Sequence, residues 1–136
     1  MDNTLAYYVN EILNSKEIIR KQLIDHLNQV VSCFLSLTSV KMEDLKAIQN
    51  NEVTQFDELR MKNNEIDFNL QFTILAGAEK LYFSVPLTIE RINFMDGSIG
   101  FLTGLEKFRD PVTAEQASEL LKEAFKEVIV KQLNEN

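Results

Sequence analysis

Apolar residues recur every three or four positions from Leu5 to Phe34, through Leu5, Val9 and Ile12 and then Ile19, Leu23, Leu27, Val30 and Phe34. That spacing stacks one side chain per turn on one face and predicts a helical region over 1–37. Lys16 interrupts the stripe, and a second row of Leu13, Ile24, Val31 and Leu35 widens it in the later half, which therefore faces more than one neighbour. Asn14-Ser15-Lys16-Glu17 has the form of a capping box and marks a place for the helix to break. Unbroken, about 33 residues make a rod of roughly 50 Å, whereas a compact domain of this length has a radius of gyration near 14 Å. The rod overhangs its own domain, and Leu5, Tyr8, Val9 and Ile12 on the overhang need cover. A second copy of the chain supplies it most simply, so a homodimer or higher oligomer built on this region is expected.

After Ser39, the spacing of Met42, Leu45, Ala47 and Ile48 predicts a short second helix ending at Asn50-Asn51. Residues 52–64 show no clear period and read as a loop with a turn around Phe56 and Leu59. The pattern then changes to strict alternation. Ile66, Phe68, Leu70, Phe72 and Ile74 point one way and Asp67, Asn69, Gln71 and Thr73 the other, which is a half-buried strand. Ala76-Gly77-Ala78-Glu79 turns the chain, and Leu81, Phe83, Val85, Leu87 and Ile89 return it as a hairpin. Pro86 has no N–H to donate, so this second strand needs an unpaired stretch or an edge position. The apolar phase slips between Ile89 and Ile92, which predicts a bulge near Glu90-Arg91 and turns Arg91 and Asn93 outward. Ile92 and Phe94, Asp96-Gly97, then Ile99 and Phe101 describe a second hairpin with a type I′ turn.

Thr113-Ala114-Glu115-Gln116 repeats the capping-box form before Ala117, Leu120, Leu121, Ala124, Phe125 and Val128. A C-terminal helix over 112–133 should lie on the sheet. The fold class is thus one α+β domain over 1–136, with a sheet of three or four antiparallel strands within 64–104.

Composition bounds the function more than it names it. The chain of 136 residues carries 21 acidic and 14 basic side chains, net −7, which disfavours a phosphate backbone as partner. No apolar run approaches the roughly 18 residues a membrane span needs, and Met1-Asp2-Asn3-Thr4-Leu5 lacks the basic and apolar blocks of a signal peptide. With one cysteine, Cys33, no internal disulfide is possible, and the expected address is the cytoplasm. Abundant lysine, asparagine and isoleucine point to an AT-rich genome, such as that of a low-GC bacterium or one of its phages.

Catalytic and metal chemistry finds little material. His26 and Cys33, one of each, do not make a zinc site, and the simple reading is a partly exposed histidine near a small buried cysteine. Every scheme with a histidine base would have to use His26, which lies inside a helix with no nucleophile elbow near it. Adjacent carboxylates such as Glu43 with Asp44, or Asp57 with Glu58, face different directions on a helix. Gly97 to Gly104 lacks the Lys-Ser/Thr ending of a phosphate loop and reads as a turn and a strand. No cofactor or metal is implied.

The outward face of the sheet is the remaining feature: Asn69, Gln71, Thr73, Tyr82, Ser84, Thr88, Arg91 and Asn93 are all residue types able to hydrogen-bond. Such a face is either plain solvated sheet or the floor of a recognition site. In the second case an anion would meet Arg91, Asn93 and Arg109, with Tyr82 or Phe83 stacking on a base and Arg20 arriving from another subunit. Three functions are therefore weighed. The first is a non-enzymatic oligomeric interaction protein that binds or blocks a protein partner. The second sequesters a small anionic, nucleotide-like signal between subunits, as a phage or mobile element would use against a host. The third is an enzyme working through carboxylates alone.

Overall fold

The structure, a computed structural model, describes residues 4–105 and 108–135. Residues 1–3, part of the predicted helical region, lie outside the described residues. Helix α1 runs unbroken over Thr4–Thr38. Four short or medium strands and two long ones follow: β1 (Leu45–Gln49), β2 (Glu52–Thr54), β3 (Glu65–Ala76), β4 (Glu79–Asn93), β5 (Ile99–Leu105) and β6 (Phe108–Pro111). Helix α2, Ala114–Asn134, closes the order. Among the described residues the strands form one antiparallel sheet in the order β2-β1-β3-β4-β5-β6, with α1 and α2 packed together on one face.

The α+β class and the two end helices match the sequence reading, but the sheet is wider than three or four strands and runs from Leu45 to Pro111 rather than over 64–104. The predicted second helix is instead a 3-10 turn, Met42–Asp44, followed by β1. Leu45, Ala47 and Ile48 fit either period over so short a span; Leu45 and Ala47 are buried on one side of a strand and Lys46 is exposed on the other. Asn50 and Asn51 both have positive φ, 54° and 65°, and join β1 to β2 with Gln49 opposite Glu52. That is a type I′ turn, not a helix end. Asn63 and Asn64 repeat it, with φ of 54° and 60°, between Lys62 and Glu65, whose backbones exchange two hydrogen bonds.

The predicted break at Asn14 does not occur. Glu17 is used otherwise, 3.7 Å from Arg20 one turn along. The helix ends at Ser39, whose φ of 60° is left-handed and whose N–H donates to Leu35 O. In α2 the capping box is present: Thr113 accepts from Gln116 N, and the Gln116 side chain accepts from Thr113 N.

β3 and β4 pair without interruption from Ala76–Glu79 to Glu65–Glu90, around a two-residue turn in which Gly77 takes φ 67°. The ladder between β4 and β5 begins at Thr88, so Pro86 faces a stretch of β4 with no strand on that side, which removes the need for its N–H. No bulge interrupts Glu90-Arg91. The β4–β5 register runs continuously from Thr88–Gly104 to Asn93–Ile99. Arg91 and Asn93 therefore share the helix-side face with Ile89 and Phe101, and Ile92 faces outward. The apparent phase slip marks the end of the core, where polar residues occupy inward positions. Asp96-Gly97 also departs from type I′: Gly97 alone is left-handed (φ 88°), Gly97 N donates to Phe94 O, and Phe94 N donates to Ser98 O. This is a longer loop with a glycine bulge.

The core lies between the helices and the inner face of the sheet. Leu23, Leu27, Val30 and Phe34 of α1 and Leu121 and Phe125 of α2 meet Ile66, Leu70, Phe83, Val85 and Ile89. Burying each such side chain contributes about 1.5–3 kcal/mol.

Left-handed backbone costs an ordinary residue about 1–2 kcal/mol more than asparagine or glycine. Asn50→Ala and Asn63→Ala should each lower stability by about that amount in urea unfolding, while glycine at the same positions should be nearly neutral. Equal effects of alanine and glycine would show that these turns are built differently.

Candidate functional site

The predicted anion-binding residues do not meet within one protomer. Arg20, on α1, donates from Nε to Leu59 O at 3.0 Å and from its terminal nitrogen to Asp57 O. It holds the 3-10 turn of Phe56–Glu58 against the helix. Arg109, on β6 and outward-facing, sits 2.6 Å from Glu65 and 3.1 Å from Glu90. Those two glutamates stand directly opposite each other on β3 and β4, an arrangement that repels unless a cation spans it. Gly104, opposite Arg109, has no side chain and leaves the guanidinium a clear path across β5. The hydrogen bond that Arg109 donates to Glu65 raises the Arg109 pKa above its ordinary value against the opposing effect of desolvation.

Tyr82 lies on the outer face of β4, about half exposed, while its carbonyl accepts from Gln132 of α2. Asn93 is exposed at the end of β4. Arg91 faces the helices, and its Nε is buried without a hydrogen-bond partner, as is Gln22 Oε1 on α1. On the outer face Thr88 is buried and donates to Asp67. Asn69 and Ser84 are exposed there.

His26 is the reverse of the sequence expectation. It is buried and Cys33 is half-buried. Its ring stacks on Phe101 with centroids 4.3 Å apart, and Nε2 lies 2.8 Å from Thr103 Oγ1, in a hydrogen bond whose direction follows the ring tautomer. Thr103 is itself buried opposite Ile89. Burial lowers the His26 pKa from 6.5 to about 4, so the ring is neutral at physiological pH. Beside it an open groove of about 500 Å³ runs from Phe94 and Phe101 to the first turn of α2. Among the described residues no three His, Cys, Asp or Glu side chains are placed to hold a metal ion.

The largest feature is the first half of α1. Its earliest buried residue is Leu23, and residues 4–18 are exposed throughout. Tyr8, Val9, Ile12 and Leu13 are each 55–57% exposed, with Tyr7 and Ile18 similar. At 100° per residue, Tyr8, Val9, Ile12 and Leu13 point in the same mean direction as Leu23, Leu27, Val30 and Phe34. The stripe that holds α1 to the sheet thus continues, past Lys16, for about 22 Å beyond it. No helix among the described residues is long and apolar enough to cross a membrane. Comparison with family models, with curated proteins and with solved structures gives no match.

The chain has one histidine, so its titration is read without overlap. Its imidazole proton resonances should stay at their neutral positions until the pH falls toward 4. Because the folded pKa is below the unfolded value, the contribution to stability is complete above pH 6.5 and is lost as the pH falls through about 4, roughly 3 kcal/mol in all. A titration midpoint near 6.5 would place the ring in water.

Proposed function

We propose that this chain is a cytoplasmic interaction protein that acts by association rather than catalysis, assembles on itself through α1, and binds or blocks a protein partner. The observation that carries this reading is the projecting half of α1, whose exposed apolar stripe is in phase with the buried one on the other side of Lys16. An apolar surface of that size in water marks a contact. The five large side chains on the stripe, Leu5, Tyr8, Val9, Ile12 and Leu13, are exposed, and at roughly 100 Å² each they give about 500 Å² per copy, more than half of the roughly 800 Å² per partner of a stable interface.

Charge favours a second copy as the occupant. Residues 4–18 carry one basic side chain, Lys16, and two acidic ones, Glu11 and Glu17, for a net −1, where the whole chain is −7. Copies of an acidic protein repel one another over most of their surface, and this helix is where they approach with least repulsion. Arg20 and Arg109 are already engaged by their own protomer, which weighs against a small anionic ligand as the reading of choice.

Val9→Glu places a carboxylate in the middle of the stripe, at a position exposed in the single chain, so the protomer should still fold. Sedimentation equilibrium should then give the mass of one chain for the variant and a multiple of it for the parent protein. A parent protein that sediments as one chain at tens of micromolar would remove the self-association reading.

A further inference from the structure

The phase of the α1 stripe also constrains how two copies can meet, an inference that rests on the self-association just proposed. We infer that the chain forms a closed dimer in which the projecting halves of α1 pack antiparallel, side by side, about a two-fold axis near Glu11. In a parallel pair the second helix would lie on the stripe of the first along its whole length. From Leu23 onward that stripe is filled by the protein's own sheet, where Leu23, Leu27 and Val30 are fully buried. The continuing second helix would run into that sheet. Reversing it removes the collision, because each helix then covers only the projecting half of the other and its own domain lies beyond the far end.

Overlap of residues 4–18 with the same residues of the second copy sets the register. Val9 of each chain faces Leu13 of the other, and Ile12 lies next to the axis. Glu11 and Glu17 fall off the stripe, leaving Lys16 as its one charge, on the stripe but toward one end of the overlap, where its stem can lie along the partner helix and its ammonium reach water. The start of each helix arrives at the end of the other copy's sheet where β3 begins and β4 ends. There Phe94, Met95 and Ile99 are exposed around the β4–β5 turn. They extend the apolar contact beyond the helix pair. Both copies use the same surface, so the assembly closes at two and leaves no stripe for a third.

Distances between equal positions distinguish the arrangements. In an antiparallel pair they grow by about 3 Å for each residue away from the axis, whereas in a parallel pair they stay constant. With the one native cysteine replaced (Cys33→Ser, or Cys33→Ala should serine disturb packing), spin labels are attached to Glu11→Cys or Asp25→Cys, both exposed and off the stripe. Pulsed dipolar spectroscopy on the full chain should find the residue-11 labels side by side. The residue-25 labels should lie about 40 Å apart along the helix axis. Short distances at both positions would overturn the antiparallel arrangement and leave self-association standing. A dimeric mass without a short residue-11 distance would show pairing elsewhere and overturn the α1 interface. Absence of any inter-chain distance, with a one-chain mass, would overturn this inference and the proposed self-association together.

Discussion

The apolar stripe of α1 is longer than the sheet available to bury it. From Leu23 to Phe34 the stripe lies against α2 and β4, and the burial of those side chains fixes the angle at which the helix crosses the sheet. Nothing in the backbone of residues 4–18 interrupts the helix, because there is no proline or glycine and the hydrogen-bond ladder continues through Asn14. A rigid rod anchored at one half must project at the other. The features that distinguish this surface from an ordinary α+β protein follow from that mismatch.

The anchor itself depends on polar contacts at the edge of the core. Arg20 ties α1 to backbone carbonyls around Leu59 just before the first fully buried residue. His26 fills the space over Phe101 and reaches Thr103, so that the last inward positions of β5 are occupied by a neutral ring and a hydroxyl instead of water. On the opposite face Arg109 holds Glu65 and Glu90 together across three strands. These contacts sit at the end of the sheet from which α1 projects. Their position means that the direction of the projecting half is set by packing and not by the helix alone.

The sequence was legible where one period ran long enough to leave no alternative. Five apolar positions alternating with four polar ones from Ile66 to Ile74 specify β3, and about eight turns of stripe from Leu5 to Phe34 specify α1. Leu45-Lys46-Ala47-Ile48 is too short to separate a period of 2 from one of 3.6, and β1 was read as helix. Two Asn-Asn pairs carried a turn signal, since asparagine tolerates positive φ better than most residues, yet only the Asp-Gly pair was given that weight. Arg91 faces inward because the register runs through Glu90-Arg91 without a bulge, so the shift in apolar phase reflects a change of residue type and not of direction. The arginines looked like a constellation in one dimension, but Arg109 and Arg91 occupy opposite faces of the same sheet. Pairing register decides that, and register is not visible in composition.

An exposed apolar helix is ordinarily a hazard, because a surface that sticks to its own kind without a fixed geometry leads to open-ended association. The in-phase relation of the two halves of α1 limits that hazard. A second helix can lie on the stripe only as far as the sheet, and only in the reversed direction, so steric exclusion supplies the geometry that apolar attraction lacks. The acidic remainder of the chain acts in the same sense by repelling any approach that does not lead to the sparsely charged stripe. A break at Asn14 would have freed the first half to fold back on its own sheet. Keeping the helix whole holds the stripe away from its own domain and leaves it exposed, which is the surface the proposed dimer would use.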